Sequence, residues 1–153
     1  MNALITIGAI EKFCKTSWGF QTTFQTPLKD LERFVAAILS TEEDITKASV
    51  IIDQVVFEPK NLTALFSGSQ TQSLSKDWSL TATDKVEVHK LLRATLSDWI
   101  DFAFIPLPKP FVIYADHDEY TTFYANTKLN LSRFVSVLTA NGFKQLANWQ
   151  RHF

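Results

Sequence analysis

One cysteine in 153 residues, Cys14, leaves no possibility of an internal disulfide. A chain without one fits a reducing compartment, so the sequence predicts a cytoplasmic protein. Cys14 has lysines on either side but no adjacent histidine to act as its base, so it reads as a half-buried thiol rather than a nucleophile. Glycine is scarce, at four residues. That argues against a turn-rich β-sandwich and against a glycine-rich phosphate cradle. Charge of one sign is lacking as well. A formal net charge of -1 and a pI near 6.3 give no field that would gather nucleic acid or an anionic membrane. No apolar run approaches the roughly 20 residues of a membrane helix. The N-terminal apolar stretch has no basic segment before it and breaks at Glu11, too early for a secretion signal. Without such a signal, the triplet Asn61-Leu62-Thr63 is a chance match to a glycosylation site. There is no G-x-S-x-G, no phosphate loop, no H-E-x-x-H and no cysteine pair, so no cofactor is expected.

Aromatic side chains are abundant: thirteen Phe and four Trp, in a chain that is 46% hydrophobic and 20% charged. A chain of this length can bury a core unaided, and residues 1–153 read as a single globular domain. Aromatic burial should dominate that core.

Periodicity then places the elements. Residues 3–16 read as a helix capped by Asn2, although Gly8 interrupts it and Leu4–Ile7 also suits a short strand. Thr26-Pro27 opens a helix over 27–39 with Leu31, Phe34, Val35 and Ile38 on one side. Ser40 and Glu43 form a capping box for a short helix reaching Lys47, and Val50–Phe57 is a β-branched strand. Ser67–Ser73 is a polar loop, and Trp78 and Leu80 pin its far side to the core. Asp84 and Glu87 cap a helix over 85–101, ended by Pro106, Pro108 and Pro110 in an extended connector. Phe111–Ala115 and Tyr120–Ala125 form a hairpin, residues 128–140 a last helix before Asn141-Gly142, and 143–146 a possible strand beside the hairpin. The fold class expected is α+β: a small antiparallel sheet, the hairpin 111–125 plus one or two further strands, packed against four or five helices.

Chemistry concentrates at the hairpin tip, Asp116-His117-Asp118-Glu119. Three carboxylates and an imidazole suit a divalent cation or acid–base work, but neighbouring strand residues point to opposite faces. Asp116, His117 and Asp118 would therefore need a further ligand, with Asp98, Asp101 and His89 as the available donors. The alternative is that the acids simply build the turn. Charge is also segregated. Leu96–Ala125 holds five acids against Lys109, whereas Asn126–Phe153 holds Lys128, Arg133, Lys144, Arg151 and no acid. An acidic, aromatic patch suits a basic protein partner. Internal pairing, such as Arg133 with the hairpin tip, would account for the same pattern. The tail Trp149–Phe153 reads as a docked or frayed terminus.

The leading expectation is a non-catalytic interaction domain, of the kind small immunity or inhibitor proteins represent. It would bind a basic protein through Asp98, Trp99, Asp101, Asp116, Asp118, Glu119, Tyr120 and Tyr124. The alternative is a metal-assisted hydrolase or phosphoesterase using Asp116, His117, Asp118 and His89. A small-ligand pocket lined by Phe and Trp is a third possibility.

Overall fold

Phe20, Thr22 and Phe24 alternate with Gln21, Thr23 and Gln25, the period of two that defines a strand. The computed structural model describes residues 1–66 and 73–153, and the expected loop at 67–73 lies outside the described residues except for Ser73. Seven strands form one antiparallel sheet: β1 (Asn2–Ile5), β2 (Phe20–Gln25), β3 (Lys47–Gln54), β4 (Trp78–Ala82), β5 (Asp101–Leu107), β6 (Val112–Ala115) and β7 (Tyr120–Ala125). Their order across the sheet is β1-β4-β3-β5-β6-β7-β2. The helices are α1 (Ala9–Lys15), α2 (Leu31–Ser40), α3 (Lys60–Leu65), α4 (Lys85–Ser97) and α5 (Lys128–Ala140). Among the described residues no helix is long and apolar enough to cross a membrane.

The expectation of a small sheet of a few strands is therefore wrong; the sheet dominates. The hairpin and α5 form where predicted. The predicted helix over 3–16 instead begins as β1, and Gly8, at φ +82, makes the break before α1. The helix expected after Ser40 does not form. Ser40 belongs to α2, where its hydroxyl donates to the Ala37 carbonyl, and β3 starts at Lys47. The helix expected to reach residue 101 stops at Ser97, because Trp99 adopts a left-handed φ of +54 and sends the chain back as β5. Pro106 lies within β5, beyond the Phe102–Phe104 stretch that pairs with β6, where a proline is tolerated. Residues 144–146 lie against the outer edge of β2, not beside the hairpin as expected: Leu146 N–H donates to the Thr23 carbonyl and Gln25 N–H to that of Lys144.

Four helices cover one face of the sheet. Its core is aromatic: Phe24, Phe34, Phe102, Phe104, Phe111, Phe123 and Phe134 are all under 2% exposed. Phe134 of α5 sits 4.5 Å from Phe111 and 4.8 Å from Phe123, ring centre to ring centre. Each such burial stabilises the fold by about 1.5–3 kcal/mol before geometry is considered. Asp84 caps α4 as predicted, accepting from Glu87 N–H. The Glu87 carboxylate accepts from Thr83 and from the N-terminal ammonium at 3.1 Å, which pulls its pKa down to about 2.

Among the described residues, the opposite face carries α1, Trp18 and the C-terminal residues. Phe13 of α1 packs over Tyr114 and Tyr124, and Phe153 closes on the same rings. Cys14 belongs to this layer, where burial pushes its thiol pKa up, the reverse of what a nucleophile needs.

Candidate functional site at the hairpin tip

The turn between β6 and β7 is built by its own acids. Asp116 N–H donates to the Tyr120 carbonyl, and Asp116 Oδ1 accepts from the N–H groups of Asp118 and Tyr120. Side-chain-to-backbone bonding of this kind is why Asp favours turns. Glu119 takes the left-handed position, φ +71, which glycine usually fills in such hairpins. Its carboxylate accepts from Gln25 Nε2 at 3.0 Å.

The tip is then fixed from two sides. Arg151 reaches in from the C-terminal segment and pairs with Asp116 Oδ2 at 2.7 Å, the two side chains only 10% and 12% exposed. The same guanidinium donates to Thr122 Oγ1 and the Tyr120 carbonyl, and lies over the rings of Tyr114 and Trp149. Trp149 in turn packs on Tyr120, ring centres 4.7 Å apart. From β5, Asp101 Oδ1 accepts from His117 N–H and lies 2.7 Å from His117 Nδ1.

That carboxylate favours the imidazolium and raises the His117 pKa above its ordinary 6.5. The ion pair therefore stabilises the fold fully below pH 6.5, and its contribution disappears as pH rises through the raised value. The ring is about one-third exposed, so the effect is on the order of 0.5 kcal/mol. The stability difference between wild type and His117→Gln, measured by urea unfolding from pH 5 to 9, should be flat on the acid side and shrink above it. A difference that grows with pH would contradict the pairing.

The eight residues expected to meet a partner separate into two groups. Asp118 stays at the surface, its side chain 75% exposed, with Glu119 and Tyr120 half-buried beside it. Asp98, Asp101 and Tyr124 are buried, at 5%, 7% and 5% exposure, and Asp116 is held by Arg151. Asp98 turns to the helix layer and accepts from Asn61 and Leu62. Trp99 is the half-buried left-handed residue at the end of α4. Of the further donors offered for a hydrolase site, Asp101 meets His117, but Asp98 and His89 do not reach the tip. His89 lies on α4, 2.9 Å from Glu32 of α2, and among the described residues no group of three or more His, Cys, Asp or Glu is placed to hold a metal ion. The cation that meets the hairpin is Arg151, not Arg133, which is exposed on α5. The structure also adds Trp149 and Gln25 to the tip. The surplus of bases after residue 125 opposite the acids before it is a trace of Arg151, but it does not single out Trp149 or Gln25. Comparison with family models, with curated proteins and with solved structures returns no match.

Proposed function

We propose that this chain is a non-catalytic binding module that takes a basic group of a partner protein at the hairpin tip. Asp118 supplies the charge, with His117 and Glu119 beside it and the Tyr120–Trp149 pair as an adjoining aromatic surface. The observation that supports this reading is pre-organisation. Arg151, Asp101 and Gln25 hold the turn in place before any partner arrives, while Asp118 itself remains 75% exposed. A loop already ordered spends less conformational entropy on association. Tyr and Trp beside a charge are the residue types that anchor protein interfaces. No observation gives comparable support to metal-assisted hydrolysis.

The test compares wild type with Asp118→Lys/Glu119→Lys as bait in affinity capture, followed by calorimetry on the purified pair. A partner held by wild type should bind the tip variant at least tenfold more weakly, about 1.4 kcal/mol. A similar reversal on the α2–β3 loop, Glu43→Lys, should leave binding unchanged. Equal binding by the tip variant, or no specific partner at all, would overturn the proposal.

A further inference from the structure

On the face opposite the four helices, α1 does not seat fully on the sheet. Between them lies a cavity of about 180 Å³. Phe13, Trp18, Ile105 and Val112 form its apolar wall, and Lys12 and Lys109 stand on its lining with them. Val112 and Phe13 are buried, and Trp18 and Ile105 are half-buried. The cavity is separate from the hairpin tip and shares no residue with it.

Two features point to a ligand of one chemical kind. The first is size and polarity. An apolar cavity of roughly 150 Å³ accepts one benzene ring, so this one has room for a ring with a small substituent. The second is charge. Lys15, on the same helix, is neutralised by Glu11 at 2.8 Å. Among the described residues neither Lys12 nor Lys109 forms an ion pair, and the Lys109 ammonium instead stands 6.0 Å from the centre of the Trp18 ring.

We propose that this cavity binds a small aryl carboxylate: one aromatic ring against Phe13, Ile105 and Val112, with its carboxylate between Lys12 and Lys109. The ring is recognised by apolar contact and the carboxylate by two otherwise unpaired cations. A neutral compound of the same shape is a poorer ligand, because it leaves both lysines without a counter-charge.

Phenylacetate is the probe, titrated into the full chain and followed by two-dimensional amide and indole NMR, with phenylacetamide as the neutral control. The expected result is saturable, sub-millimolar binding, with shifts confined to Lys12–Trp18, Ile105, Lys109–Val112 and the Trp18 indole. Phenylacetamide should bind at least tenfold more weakly. Lys12→Glu/Lys109→Glu, a change at two exposed positions, should weaken phenylacetate at least tenfold. Ile105→Trp, which keeps both lysines and fills the space, should abolish the shifts. Circular dichroism confirms that each variant is folded. No saturable binding to wild type, shifts centred elsewhere, equal affinity for phenylacetamide, or undiminished binding by a folded variant would each overturn the proposal.

Discussion

Replacing Arg151 with methionine should lower the free energy of unfolding by about 3–5 kcal/mol, the range for removing one partner of a buried ion pair. That is a large part of the roughly 5–15 kcal/mol a domain has in total. The size reflects the groups left behind. Asp116 is 12% exposed and loses the guanidinium that pairs with it. Thr122 Oγ1 and the Tyr120 carbonyl each lose a donor, and Trp149 loses the guanidinium stacked on it. Methionine retains much of the apolar stem, which keeps lost packing from confusing the result. Adding Asp116→Asn separates the causes. Asparagine still presents the oxygen that accepts from Asp118 and Tyr120, but carries no charge. The double variant should therefore recover more than half of the loss in urea denaturation. Recovery of less than 0.5 kcal/mol would mean that the uncompensated carboxylate is not the main cost. The tip would loosen in the Arg151 variant as well, so partner binding at the tip should weaken without any change at Asp118 itself.

How much of the fold is readable from the chain depends on how local each signal is. Helix α5 is legible because its evidence is contained within it: the stripe of Leu131, Phe134, Val135 and Leu138, ending at Asn141-Gly142. The hairpin is legible for the same reason, as two β-rich runs around a polar turn. Strand β2 is not. Its Thr and Gln residues look like surface, yet Thr23 is fully buried because its hydroxyl bonds Thr122 across the β2–β7 pair at 2.8 Å. Thr22, Thr23 and Phe24 are buried in succession, and polar residues buried by cross-strand pairing blunt the alternation that one strand shows alone. Strand β5 is masked by the helix before it. Trp99 and Ile100 extend the apolar run of α4, and the reversal occurs at a non-glycine residue with positive φ. The candidate site shows the same division. The charged residues 116–119 stand together in the sequence, but their partners come from 16 and 35 residues away: Asp101 for His117 and Arg151 for Asp116. A cluster of charges is visible in one dimension; whether it is free or already paired depends on contacts that are not.

Asp98→Ala is expected to cost about 3 kcal/mol, although Asp98 lies outside helix α3, the element it stabilises. Short helices are marginal without caps, and neither of the two shortest here has a cap of its own. Gly8 precedes α1, and the carboxylate that accepts from Gly8 and Ile10 N–H belongs to Asp77. Pro59 precedes α3, and the first-turn amides of Asn61 and Leu62 bond Asp98, at 3.1 and 2.7 Å. Asn61 Nδ2 adds a third bond at 2.8 Å. Losing an N-cap costs about 0.5–2 kcal/mol, and each buried donor left unmet about 1–3 kcal/mol. Leu62 is fully buried, so α3 cannot simply turn its amides to water without withdrawing that side chain from the core. Asp98→Asn should lose roughly half as much, since one oxygen still accepts while the amide group opposes a donor. Hydrogen exchange separates this from a general weakening: the amides of Asn61 and Leu62 should lose protection before those of β5 or β7. The outcome also bears on the interface. If Asp98→Ala left stability within 0.5 kcal/mol of wild type yet weakened partner capture, the carboxylate would belong to the binding surface. The proposed site would then have to extend from the hairpin tip to the end of α4.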